Sequence, residues 1–181
     1  ISVLQAEIRG FGGYQGSHRP EVVTSTLNSV FDALVPRVFE NGGTFDKYLG
    51  NSVLAFYGAP TSYTDDALRA VRTGMQMQDS FADLQAGHPD LADLALSVAV
   101  ASGDALVGNL GSRQVLDYTI MGDAVELCRQ VQDLAGPGQV LICPATHRQV
   151  ERHVEARAQD PVQLEGRPGP MQLHEILGFL P

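Results

Sequence analysis

The stretch NGGTFDKYLGNSVLAFYGAP, residues 41–60, decides how the chain is read. Two apolar runs flank Gly50-Asn51, and such a pair between apolar runs signals a two-residue hairpin. In front of it, Asn41-Gly42-Gly43 reads as a left-handed stop to a preceding helix. Working back, Pro20 suits the first turn of a helix. Val23, Leu27, Val30, Phe31, Leu34 and Val38 then recur at helical spacing. Pro36 lies inside that run and predicts a kink. At the start, ISVLQAEIRGF alternates through Ile1 and Val3, then Ala6 and Ile8, as a strand ending at Gly10.

Working forward, DDALRAVRTGMQMQDSFADL (65–84) carries Leu68, Val71, Met75 and Phe81 on a second amphipathic helix. LALSVAVASGDALVGNL (94–110) gives two strands around Ser102-Gly103-Asp104. DYTIMG (117–122) is a short strand, and Gly122-Asp123 leads into a third helix. GQVLIC (138–143) is another strand, and Pro144 starts a short helix through Val150. VQLEGRPGPMQLHEIL (162–177) reads as two strands joined by a Gly/Pro turn. No repeat or long linker interrupts the order, so residues 1–181 are expected to form one α+β domain with helices packed on a sheet.

The 181 residues suit one domain, and 44% hydrophobic against 18% charged residues allows a packed core rather than disorder. A formal net charge of -9 argues against nucleic acid as the partner, because phosphate backbones need clustered cations. No run of about 18 apolar residues exists, so no membrane contact is expected, and no signal-peptide pattern is present. The chain starts at Ile1 rather than Met, so a segment of a longer cytoplasmic protein is expected. The two cysteines, Cys128 and Cys143, form no CxxC pair and read as reduced residues. His147, Glu151 and His153 read as a solvated helix face rather than a metal cluster.

Five segments in this order resemble the catalytic domain of class III nucleotidyl cyclases, the adenylate and guanylate cyclases. They are AEIRGF (6–11), residues 41–60, SGDALVGNLGS (102–112), LDYTIMGDAVEL (116–127) and LEGRPGPMQLHEILG (164–178). The resemblance implies a ferredoxin-like βαββαβ core with extra C-terminal strands and helices. It also implies head-to-tail dimers with a nucleotide at the interface. One subunit then supplies two Asp residues for two divalent metals. The other supplies a base-reading Lys with Asp or Thr, and a transition-state Asn and Arg. The reaction makes a 3',5'-cyclic nucleotide and pyrophosphate from a nucleoside triphosphate.

Several of those positions depart from the pattern. Glu7 and Asn51 stand where the family usually has its metal-binding Asp residues. The extra methylene of Glu7 displaces its carboxylate by about 1.5 Å, and Mg²⁺ tolerates little error. Asn51 is a neutral ligand at best and, after Gly50, an excellent turn residue. Glu126 and Gln130 stand on the Asn and Arg positions. They share one helical face, but neither brings positive charge. A carboxylate about 5 Å from a phosphate charge costs roughly 3 kcal/mol at an effective dielectric near 20. Lys47 and Thr119 match the base-reading pair and suit adenine better than guanine; Asp117 is a further nucleotide-binding candidate, and Gly10, Phe11 and Gly12 match a backbone loop that cradles phosphates. Lys47 is alternatively a surface charge and Thr119 an ordinary strand residue. Val115 replaces a phosphate-contacting Arg, with Arg113 two residues earlier on the same face of a regular strand. The expectation is an impaired or inactive cyclase homology domain, a dimerising regulatory or ligand-sensing module with a leftover purine pocket and no cofactor. The alternative is a weak Mn²⁺-dependent adenylate cyclase, in which Glu7 with Asp46 or Glu126 remakes an acidic site, so that Mg²⁺ or Mn²⁺ matters only where activity remains.

Overall fold

The computed structural model describes residues 1–181. Strand β1 (Ser2–Arg9) pairs antiparallel with β3 (Ser52–Tyr57) on one side and β4 (Ala95–Ser102) on the other. β2 (Thr44–Leu49) pairs with β3, and the full sheet adds β7 (Val140–Ile142), β8 (Val154–Ala158) and β9 (His174–Phe179) in the order β2-β3-β1-β4-β7-β9-β8. The helices are α1 (Phe11–Ser17), α2 (Pro20–Glu40), α3 (Asp66–Ala86), α4 (Asp123–Leu134) and α5 (Pro144–Val150). The first four strands with α2 and α3 make the ferredoxin-like βαββαβ core. β5 (Leu106–Gly111) and β6 (Leu116–Met121) form a separate two-stranded ribbon.

The pleat of β1 builds two cores at once, because successive side chains leave on opposite faces. Leu4, Ala6 and Ile8 pack with Val30, Leu34, Val71 and Met77 beneath α2 and α3. Val3 joins Leu54, Phe56, Ala99, Leu127, Cys128 and Val131 beneath α4. Each large aliphatic side chain so buried contributes about 1.5–3 kcal/mol.

The predicted stop after α2 is present. Gly42 takes φ 70°, its N–H donates to Phe39 O at 3.0 Å, and the Gly43 N–H donates to Val38 O at 2.8 Å. Pro36 does not end the helix, which continues to Glu40. The Gly50-Asn51 turn is also present, with Gly50 at φ 61° and Leu49 opposite Ser52. Between Phe45 and Lys47 the register shifts, so Asp46 is the extra residue of a bulge.

Two elements differ from the reading of the sequence. Residues 11–17 are helical although three of them are glycine; buried Phe11 and Tyr14 hold the helix against the core, overriding propensity. The closing hairpin pairs β9 with β8, not with residues 162–171, where only the bridge Val162–Met171 forms. Pro161, Pro168 and Pro170 cannot donate to a ladder, and the alternation of β8 is only five residues long and rests on Val154 and two alanines, a weak sequence signal.

Cys128 and Cys143 are buried and unbonded, and burial raises the Cys128 thiol far above its ordinary value. His147 on α5 stacks on His174 of β9, ring centroids 3.7 Å apart. Burial first, and the neighbouring His147 second, lower the His174 pKa below its ordinary 6.5. The native state therefore resists a proton that the unfolded chain accepts. The stabilisation is complete above about pH 6.5 and is lost as pH falls below it. Urea midpoints should drop from pH 7.5 to 5.5, with a shallower slope in His174→Gln. A second test lies at Gly43, where an added Cβ would sit 2.5 Å from Cζ of the buried Tyr57 ring. Gly43→Ala should cost about 1–3 kcal/mol by overpacking, read as a lower thermal midpoint.

Candidate nucleotide site

Glu7 sits near the C-terminal end of β1, between Ser52 of β3 and Ser97 of β4. Its carboxylate lies 3.8 Å from Arg9 Nη1, and its side chain is 27% exposed. Arg9 itself is fixed: Nε donates to Ser97 Oγ at 2.9 Å, and Nη2 donates to Ala135 O at 2.9 Å and to Gln132 O. Its charge thus caps the carbonyl end of α4, where the helix dipole favours a cation. Asn51 turns inward. Its Nδ2 donates to Ile8 O at 2.7 Å, and the Ile8 N–H donates back to Asn51 O at 3.1 Å. No three His, Cys, Asp or Glu side chains are grouped to hold a metal ion. The two-metal arrangement that the resemblance implies does not fit this donor set. One carboxylate stands beside a guanidinium, and the other position presents an N–H donor to a backbone carbonyl.

Lys47 and Thr119 converge through Asp46. The Thr119 hydroxyl donates to the Asp46 carboxylate, 2.9 Å from Oδ1 and 3.0 Å from Oδ2, while Lys47 Nζ lies 4.0 Å from Oδ1. The bulge in β2 aims this carboxylate inward, where its side chain is only 2% exposed. Thr119 is buried with it, and Lys47 remains half exposed. Asp117 is exposed on β6, away from these contacts. Gly10, in the left-handed conformation, caps α1, and Phe11 and Gly12 belong to that helix rather than to an open loop. Arg113 and Val115 are exposed in the turn between β5 and β6, so the shared-face argument for a regular strand does not apply to them.

Glu126 and Gln130 share a side of α4 but not a fate. Glu126 is exposed and bound by Arg129, Nη2 to Oε1 at 2.6 Å and Nε to Oε2 at 3.1 Å. That hydrogen-bonded guanidinium lowers the Glu126 carboxyl pKa, so the carboxylate is paired rather than bare. Gln130 is buried, 7% exposed. Its Nε2 donates to Glu165 O at 2.8 Å, and its Oε1 accepts from Arg167 Nε at 3.4 Å. Arg167 also binds the Asp123 carboxylate at 2.9 Å. Arg129 and Arg167 were missed by the reading of the sequence. The first has a local signal, three residues from Glu126 on one helix. The second lies 44 residues from Asp123 and has none.

The family model for the adenylate and guanylate cyclase catalytic domain matches residues 1–178. The chain belongs to that family. It is 24% identical over 184 residues to adenylate cyclase 1 of Rhizobium meliloti, covering 99% of this chain and 28% of that protein. The adenylyl cyclase CyaB from P. aeruginosa superposes with a TM-score of 0.93 at 26% identity, over 97% of this chain and 92% of that one. The guanylyl cyclase Cya2 superposes at 0.92 with 30% identity, over 98% and 91%. The chain spans under a third of the length of the curated relatives it matches. No helix is long and apolar enough to cross a membrane.

In this class III cyclase domain the Asn51 side chain is tied to the β1 backbone. Asn51→Asp should remove the donor to Ile8 O and set a second carboxylate near Glu7. The expected cost is about 1–2 kcal/mol, read as a lower urea midpoint at neutral pH with unchanged cooperativity. A midpoint equal to or above that of the parent would show that the amide contact carries no weight.

Proposed function

We propose that this domain is a catalytically silent class III cyclase homology domain that dimerises head-to-tail and retains a purine pocket beside Lys47. The observation that carries the reading is Asn51. A residue that would hold a metal in an active cyclase instead donates 2.7 Å into the Ile8 carbonyl and closes the hairpin onto β1. Glu126 and Gln130 add to it, since both have structural partners and neither offers a positive charge to a reacting phosphate. The base-reading side is better kept. Lys47, exposed and only loosely paired with Asp46 at 4.0 Å, can donate, and Thr119, whose proton goes to Asp46, presents acceptor lone pairs. A donor beside an acceptor suits the edge of adenine. Dimerisation is supported by the β5–β6 ribbon, which exposes Leu106 and Leu110 on one face, Leu116 and Tyr118 on the other, and Val115 in its turn.

One observation favours a second reading, a slow Mn²⁺-dependent adenylate cyclase. The Glu7 carboxylate is still open to solvent and its ion pair with Arg9 is long. Incubation with ATP or GTP under Mg²⁺ or Mn²⁺, followed by quantification of cyclic nucleotide, separates the two. Silence is expected from the folded protein with either metal. Cyclic AMP above the no-enzyme control, lost in Glu7→Ala, would put the second reading first.

A further inference from the structure

Where the family places an arginine, Gln130 is too short and uncharged, yet a guanidinium is present at that corner. It belongs to Arg167, in the segment between β8 and β9. Its Nε donates to Gln130 Oε1 at 3.4 Å, its Nη1 binds the Asp123 carboxylate at 2.9 Å, and its Nη2 reaches Asp123 O at 3.5 Å. Gln130 returns the contact by donating to Glu165 O two residues away. The Arg167 side chain is only 14% exposed, so it is held rather than waving in solvent. A guanidinium has five N–H donors. Three are engaged here, which leaves one on each terminal nitrogen. A planar fork with two free N–H groups and a fixed stem is a group suited to an anionic oxygen.

We propose that Arg167 is the fixed cation of this site, standing in for the arginine lost at position 130, and that it binds a phosphate oxygen of a nucleotide. The inference rests on the purine-pocket reading above. It makes Gln130 a positioning residue, which acts by holding the Arg167 guanidinium. It also makes the simple reversion Gln130→Arg counterproductive, because two guanidiniums would meet where an amide now accepts.

Calorimetric titration with adenosine and with ADP tests this in the absence of divalent metal. The parent protein should bind ADP about tenfold or more tighter than adenosine, the worth of one charge-assisted hydrogen bond. Arg167→Met should bring ADP down to the adenosine affinity while leaving adenosine unchanged. Arg167→Lys should keep part of the difference, and Gln130→Arg alone should not enlarge it. The exchange Gln130→Arg with Arg167→Gln should restore it, and this pair carries the test should Arg167→Met fail to fold. An ADP-to-adenosine ratio that survives Arg167→Met overturns the inference and leaves the pocket standing. So does a folded exchange variant that binds adenosine without the phosphate increment. A parent protein that binds neither ligand overturns the pocket reading and this inference with it.

Discussion

The structure depends on β1 being the inner strand of an antiparallel sheet, paired along its length on both sides. Ser2 to Glu7 face Tyr57 to Ser52 of β3, and Ser2 to Arg9 face Ser102 to Ala95 of β4. A one-residue slip would turn Leu4, Ala6 and Ile8 out of one core and Val3 out of the other. The register that fixes both cores also fixes where Glu7 and Arg9 emerge. It sets the Ile8 carbonyl against the Asn51 amide. The geometry of the candidate site is thus a by-product of core packing, and the substitutions at the site act within an unaltered frame.

Three departures from the cyclase pattern have partners within the fold. Asn51 closes the hairpin on β1. Gln130 fastens the segment after β8 to α4, where its amide can both donate and accept. Glu126 is one end of an exposed Glu126–Arg129–Asp133 charge chain rather than a bare repulsive charge. Surface pairs of this kind are worth little to stability, so Glu126 is tolerated more than required. The Asn51 and Gln130 contacts are partly buried, and losing a buried partner costs more than the bond gained.

Much of this was legible in the sequence. Gly50-Asn51 and Asn41-Gly42-Gly43 gave the hairpin and the helix stop because each needs a backbone conformation that few residues adopt. The βαββαβ order followed from periodicity. What periodicity could not show was α1, where two aromatic anchors outweigh three glycines; β8 does alternate, Val154, Ala156 and Ala158 against Glu155 and Arg157, but over five residues with two alanines the signal is weak. At the site, the sequence identified which residues had changed but not what they had become. The Asp46–Thr119 contact spans 73 positions and the Arg167–Asp123 pair 44, and such contacts exist only once the sheet has brought the segments together.

The central claim is that the old metal positions now serve the fold and hold no metal. Electron paramagnetic resonance of Mn²⁺ titrated into an excess of the folded protein addresses it directly. The account predicts a free-Mn²⁺ signal as strong as in buffer alone. A stoichiometric loss of that signal, recovered in Glu7→Ala, would contradict it.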